Sequence, residues 1–281
     1  MEFTQIRPGI FSATLDPEQV NVSLIVGERN CLLVDTGSSP AQGAEIRQAI
    51  AQLTDRPLKT VVLSHGHWDH AFGLQAFAGL DSLGHENLAD DWSCAENTAW
   101  ASRQGLALAS LPLPTNRMAL IAVRDLGDVS VEIASFGPAH THSDLITAVP
   151  SRRVLLVGDL VESGPPQFDE TSSIDGWVQT LDSLSSMLRE DTIVIPGHGT
   201  ALDAAQVAHF RSGLAAIWDQ SEWAFRQEVP PGEVYDFDNL EWPWDRVSVE
   251  QGIHLAYGEL AARPDPGPTA PAYFPDALGL I

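Results

Sequence analysis

The segment Ser64-His65-Gly66-His67-Trp68-Asp69-His70 constrains this chain more than any other. The apolar, β-branched run Val61-Val62-Leu63 stops abruptly at it, so these polar residues leave the end of a strand. Gly66 lets the backbone turn tightly, and His65 and His67 then project into one space. Four residues able to bind a metal therefore leave one loop within six positions. Neutral imidazole and carboxylate are the ligands a catalytic zinc favours when it keeps one position open for water.

Later strand ends supply matching groups. After Val129 to Phe136 comes Gly-Pro-Ala-His140-Thr-His142-Ser-Asp144. Gly158-Asp159 follows Val154 to Val157, and Pro196-Gly197-His198-Gly199 follows Ile193 to Ile195. Strand ends on the same edge of a sheet open onto one cleft. No single tetrahedral ion could use the first loop and these groups together, so the count implies a second metal.

Read in order, HxHxDH, a His after a Gly-containing turn, Gly-Asp and Gly-His-Gly resemble the metallo-β-lactamase superfamily over residues from about 20 to 215. Leu33-Val34-Asp35-Thr36-Gly37 also resembles that family's strand-ending Asp-Thr-Gly. HxH alone would be weak, whereas four separated motifs in order are specific. The resemblance implies an α/β fold, a four-layer αββα sandwich with the metals at one edge. It assigns His65, His67 and His140 to one metal site, and Asp69, His70 and His198 to a second, with Asp159 bridging. It also implies a metallo-hydrolase with two ions, zinc in the first place and iron or manganese as alternatives. Two divalent ions roughly 3.5–4 Å apart make hydroxide available near neutral pH. Such a metal-bound hydroxide would cleave an ester, thioester, lactone or amide of a small-molecule substrate. Asp69, the expected catalytic residue, would hold its metal, orient the hydroxide and pass a proton to the leaving group.

Other polar residues carry weaker expectations. His142 stands where the family commonly has a small residue, and its readings are a group that supports a ligand from behind, one that faces the substrate, or a replacement for His140. Asp35 and Thr36 are expected to organise the metal loops through hydrogen bonds, since a buried Asp35 without a partner would be costly. Trp68, between ligands, is expected to face the substrate, and Trp242-Pro243-Trp244 to cap the site. His85 reads as a structural or rim residue.

Two other functions fit the same residues. An iron-dependent oxidoreductase, persulfide dioxygenase-like, is one, because a His-rich site with a carboxylate holds iron as well as zinc. A metal-binding protein without turnover is the other. A true β-lactamase is disfavoured, because such enzymes tend to lack the bridging Asp or to use a Cys ligand, and neither Cys31 nor Cys94 is placed to provide one.

Charge narrows the partners. With 15 basic and 38 acidic residues the formal charge is −23, and Lys59 is the only lysine. Polyanions are held by clustered Lys and Arg that displace counterions, so nucleic acid and anionic membrane surfaces are excluded as expected partners. No run approaches the ~20 apolar residues of a membrane span. The opening Met-Glu-Phe-Thr-Gln lacks a secretory pattern, so a cytoplasmic location is expected.

Short apolar runs alternate with helical periodicity, as in a layered α/β domain. Strands are expected at Phe3 to Phe11, Val22 to Val26, Cys31 to Val34, Thr60 to Leu63, Val129 to Phe136, Leu145 to Val149, Val154 to Val157 and Thr192 to Ile195. Helices are expected at Ala41 to Leu53 and from Asp69 or His70 to Phe77, with a weakly patterned one at Asp90 to Gly105. Three apolar stripes give the rest: Trp177/Leu181/Leu184/Leu188, Val207/Phe210/Leu214/Ile217 and Val249/Ile253/Ala256/Leu260. Residues 1–228 are expected to form the metal-binding domain, with a helical insertion about 85–115. Residues 229–281 form a C-terminal extension packing on it. From Pro264 onward the reading is an irregular tail.

Overall fold

Alternation along the central strands explains the architecture. In β3 (Val20–Val26), β4 (Cys31–Val34) and β5 (Leu58–Val62), Val22, Leu24, Cys31, Leu33 and Val61 enter one apolar cluster, and Ile25, Leu32, Val34 and Val62 enter another. A strand covered on both faces must be apolar at every position, so these segments read as continuous runs. The computed structural model describes residues 1–237 and 241–263.

The three strands belong to a seven-stranded sheet completed by β1 (Thr4–Arg7), β2 (Ile10–Leu15), β6 (Asp81–His85) and β7 (Asn116–Met118), in the order β1-β2-β3-β4-β5-β6-β7. It is antiparallel from β1 to β4 and parallel from β4 onward. The second sheet has five strands, β8 (Ile121–Asp125), β9 (Ser130–Ala134), β10 (Ile146–Val149), β11 (Val154–Gly158) and β12 (Ile193–Pro196), in the order β12-β11-β10-β9-β8. Between the sheets, Ile25, Leu32 and Val62 share one cluster with Val131, Ile133, Leu156 and Ile195.

Helices cover both outer faces. On the first sheet lie α1 (Pro40–Leu53) and α2 (Trp68–Ala71), which runs into a 3-10 turn at Phe72–Phe77. Phe72, Phe77, Ile46 and Ile50 fill the space beneath. Two short helices, α3 (Leu88–Asp91) and α4 (Ala95–Arg103), follow β6. On the second sheet lie α5 (Ile174–Met187) and α6 (Ala204–Arg226), whose Trp177, Leu181, Leu184, Val207, Phe210 and Leu214 pack on Leu155, Val157 and Val194. The result is the expected four-layer αββα sandwich. After a short α7 (Pro231–Val234), α8 (Arg246–Ala262) buries Val249, Ile253 and Ala256 against Ile217 and Trp218 of α6. The expected tail from Pro264 lies outside the described residues.

Several expected elements are corrected. The single strand at Phe3 to Phe11 is two, because the chain reverses at Pro8-Gly9. Gly9 has φ +75, and a Cβ there would sit 2.7 Å from the Val26 carbonyl oxygen. β6, β7 and β8 were not expected from sequence. β6 places little beyond Leu83 in the core, β7 has three residues, and β8 leaves Ile121 and Val123 exposed at a sheet edge. Trp244 packs edge-on against Phe210 of α6, and the Trp242 indole N–H donates to the Tyr235 carbonyl. That stretch therefore packs on the helical layer, not over the metal-ligand loops.

Candidate metal centre

The strands end together at one edge. β4 leads into Asp35, β5 into Ser64 to His67, β11 into Asp159 and β12 into Gly197-His198. Asp35, held in the left-handed region at φ +66, ties the first two ends. Its Oδ1 accepts the Ser64 backbone N–H at 2.7 Å, and its Oδ2 accepts the Ser64 hydroxyl at 2.8 Å. The same Oδ2 lies 2.9 Å from His70 Nδ1. Thr36 donates its backbone N–H and hydroxyl to the His70 carbonyl, at 2.7 and 2.9 Å. Asp35 thus orients His70 with Nε2 pointing inward, the arrangement expected of a carboxylate behind a ligand histidine.

Two groups of ligand atoms result. One atom from each of His65, His67, His140 and Asp159 lies within 4.8 Å of the others, as do atoms of Asp69, His70 and His198. Asp159 stands between them. Its Oδ2 is 3.6 Å from Nε2 of His65, His140 and His198, and its Oδ1 is 3.3 Å from His70 Nε2. The Asp69 carboxylate is 3.1 Å from His198 Nε2.

The nitrogens turned away from this centre are anchored. His65 Nδ1 meets the Ser64 hydroxyl at 3.0 Å, His140 Nδ1 the Gln167 carbonyl at 3.1 Å, and His198 Nδ1 the Glu18 carbonyl at 3.0 Å. His67 is turned the other way. Its Nδ1 faces His140 Nε2 at 3.0 Å and its Nε2 meets Asp169 at 2.8 Å.

Whether a cation fits can be judged from what is left unpaired. His65 Nε2 and Asp159 Oδ1 are buried without a hydrogen-bond partner. Buried polar atoms are almost always paired, so these two point to a missing ligand. Gly197 backs the same spot, where a Cβ would fall 1.7 Å from Asp159 Oδ1. Imidazoles and carboxylates suit zinc, iron or manganese, so the residues fit a metal.

Protonation shows the same demand for positive charge. Burial alone would lower His67, but the hydrogen bond and charge of Asp169 prevail and raise it to about 9. Burial is likewise outweighed at His198, which the Asp159 and Asp69 carboxylates raise to about 10. His140 is pushed down to about 4 by burial and by the neighbouring His67. Buried carboxylates here hold protons on some imidazoles and not on others, and a divalent ion would replace those protons.

Every residue expected as a metal ligand is in one of the two groups, with His140 rather than His142 in place. The His142 side chain is 48% exposed, with Nδ1 3.4 Å from the buried Asp91. Trp68 is buried instead of facing a substrate, stacked on Trp100 with ring centres 3.7 Å apart and donating to Glu96. His85 is buried and accepts the Asn87 backbone N–H. Three supporting residues were missed in the sequence: Asp169, Asn97, which donates to the Gly66 carbonyl at 2.8 Å, and Asn21. The Asn21 amide donates to the carbonyls of Pro196 and Gly199 on either side of Gly197-His198. None lies in a motif, and only the fold brings them to the loops.

A family model described as the metallo-beta-lactamase superfamily matches residues 15–198. The chain belongs to the metallo-beta-lactamase superfamily. Among superfamily relatives, a linear primary-alkylsulfatase of Pseudomonas sp. is 20% identical over 76% of this chain and 48% of its own length. Metallo-beta-lactamase IND-1 of Chryseobacterium indologenes is 21% identical over 67% of this chain and 75% of its own. Among solved structures, the sec-alkyl sulfatase PisA1 superposes with a TM-score of 0.75 at 16% identity, covering 98% of this chain and 52% of that one. A metallo-beta-lactamase from Pontibacter korlensis gives 0.63 at 19%, covering 76% of this chain and 98% of that one. The chain therefore spans about half the length of the alkyl sulfatases it matches.

Proposed function

We propose that this superfamily member is a metal-dependent hydrolase of a small molecule, with a dinuclear centre of the zinc type. His65, His67 and His140 would hold one ion, Asp69, His70 and His198 the other, and Asp159 both. The observation that carries this reading is the position of Asp159, whose two oxygens face both groups of imidazoles within 3.3–3.6 Å. When bound, such ions supply Lewis acidity and make hydroxide available near neutral pH. The protein positions and manages protons. Asp69 and His198 are the most open of these residues, with 11% and 14% of their side chains exposed. Asp69 therefore borders the mouth of the centre, where it takes a proton from the attacking water and returns it to the leaving group. Asp35 and Asp169 keep His70 and His67 aimed inward.

The bond cleaved is an ester, thioester, lactone or amide. A sulfate ester is the second reading, supported by the likeness to the alkyl sulfatase over 98% of this chain, where the lactamase likeness covers 76%. The formal charge of −23 disfavours nucleic acid as substrate. No helix among the described residues is long and apolar enough to cross a membrane.

The deciding experiment is metal-quantified protein assayed on nitrophenyl esters, a nitrophenyl sulfate, lactones, thioesters and nitrocefin, with and without chelator. Two ions per chain and hydrolysis lost to chelator and restored by zinc are expected. Chelator-insensitive turnover, or protein that takes up no metal, would refute the reading. Stoichiometric iron with oxygen consumption would replace it with the oxidoreductase.

A further inference from the structure

Behind the His67 ring lies a third set of ligand atoms, in which Cys94 has no part in the proposed reaction. His67, Cys94 and Asp169 each place one within 4.8 Å of the other two. All three side chains are inaccessible: Cys94 is 6% exposed, and the His67 and Asp169 side chains are 6% and 7% exposed. The arrangement is built from two fixed segments. Cys94 caps α4, its sulfur accepting the Asn97 backbone N–H at 3.4 Å. Asp169 is held by the Thr171 backbone N–H and hydroxyl at 2.6 and 2.7 Å. Glu170 accepts the Ala95 backbone N–H at 2.7 Å, which joins the two segments beside the cluster.

We propose that Cys94, Asp169 and the outward nitrogen of His67 form an outer site for a thiophilic divalent cation, and that filling it inhibits the enzyme. Thiolate, imidazole and carboxylate together are a zinc-type ligand set. His67 Nε2 and Asp169 Oδ2 already stand 2.8 Å apart, and Cys94 brings its sulfur within 4.8 Å of a ligand atom of each. Binding forms a metal–sulfur bond and a metal–nitrogen bond, while the S–H proton of Cys94 and the Nε2–H proton of His67 leave to solvent. Asp169 exchanges its hydrogen bond to His67 for the metal. Thiolate, carboxylate and imidazolate then carry three negative charges against the ion's two positive ones. The His67 ring is shared with the inner centre and two cations bound to one ring repel each other, so the outer site fills after the inner ones.

An outer cation on the same ring repels the inner one and replaces the Asp169 hydrogen bond that aims His67. Loss of such a supporting partner typically costs 10–100-fold in metal affinity or activity. Excess zinc is therefore expected to lower turnover roughly tenfold or more.

The test is a cobalt(II) titration of the chelator-stripped full chain, followed by the sulfur-to-cobalt charge-transfer band. Cys94→Ser, which keeps a capping oxygen but offers a poor metal ligand, is titrated beside it. Expected is a band that grows after the inner centre fills, is absent in Cys94→Ser and is unchanged in Cys31→Ser. In parallel, excess zinc should inhibit the wild type and spare Cys94→Ser. No band at any cobalt loading, or an equal band in Cys94→Ser, overturns the site. An unchanged turnover as the band saturates removes the inhibition. A band that grows with the first equivalent, in protein that binds no further ion, would leave the outer site standing and defeat the dinuclear reading instead.

Discussion

The two sheets furnish the centre in unlike ways. The seven-stranded sheet delivers His65, His67, Asp69 and His70 from one loop and the short α2 after β5, and Asp35 at the end of neighbouring β4 braces that loop. The five-stranded sheet delivers His140, Asp159 and His198 from three separate segments: the loop before β10 and the ends of β11 and β12. In the first case the spacing of ligands is set within a few bonds of chain. In the second it is set by strand register and by loops touching one another. The first half should tolerate disturbance of the fold around it, and the second should fail when a distant contact is lost.

The sharpest way to break this contrast is at Gly197, where the β11 and β12 ends touch. A Cβ there would overlap Asp159 Oδ1 at 1.7 Å, so Gly197→Ala must displace the Asp159 carboxylate or His198. A misplacement of about 1 Å can cost a hundredfold in rate, and turnover should fall by at least that much. Metal content should fall from two ions to one or none while far-ultraviolet circular dichroism stays unchanged. Full activity in Gly197→Ala would mean that the β11 and β12 ends are not held in contact.

A smaller effect is expected from the first half. Asp35→Asn keeps one acceptor oxygen for Ser64 but removes the charge facing His70 Nδ1. Metal affinity should drop 10–100-fold, as for other supporting carboxylates, with the ion held by His70 lost first in a chelator titration. Equal loss of both ions would show that Asp35 braces the whole loop and not His70 alone.

Weaker still is Asn21→Ala, which frees the carbonyls of Pro196 and Gly199 from a side chain on β3. Leaving the buried Pro196 carbonyl unpaired costs about 1–3 kcal/mol, whereas Gly199 is exposed and its carbonyl turns to water, so a lower denaturation midpoint is expected. Turnover should fall several-fold through His198, with KM nearly constant. A loss of stability with no change in turnover would separate Asn21 from the centre.

The same contrast decides what could be read from sequence. His65, His67, Asp69 and His70 are adjacent in the chain, and one glycine between two histidines already shows that they converge. His140, Asp159 and His198 were legible only because each follows an apolar run, which marks a strand end. Asp169 and Asn21 follow no such mark. Asp169 lies in a loop ten positions after Asp159, and Asn21 is a polar residue within β3, so neither carries a periodic or motif signal. Core strands were legible for a related reason, since burial on both faces forces continuous apolar runs. β8 was not, because its outward face keeps Ile121 and Val123 exposed and its inward contribution is small.

The least effect on turnover, and the clearest on stability, should come from Asp144, in the loop that carries His140. It is buried, and burial raises its pKa to about 8 against two hydrogen bonds from the Thr141 backbone N–H and hydroxyl. An unfolded aspartate titrates near 3.9, so between about pH 4 and 8 the folded chain holds a proton that the unfolded chain has released. The stability from this group is thus complete below about pH 4 and is lost as pH rises through about 8. Asp144→Asn cannot ionise and should flatten that decline, so the gap in denaturation midpoint between about pH 5 and pH 8.5 should be smaller than in the wild type. An equal gap in both proteins would mean that Asp144 is already ionised in the folded chain. The loop carrying His140 would then hold a buried charge stabilised by the two Thr141 hydrogen bonds and by His67.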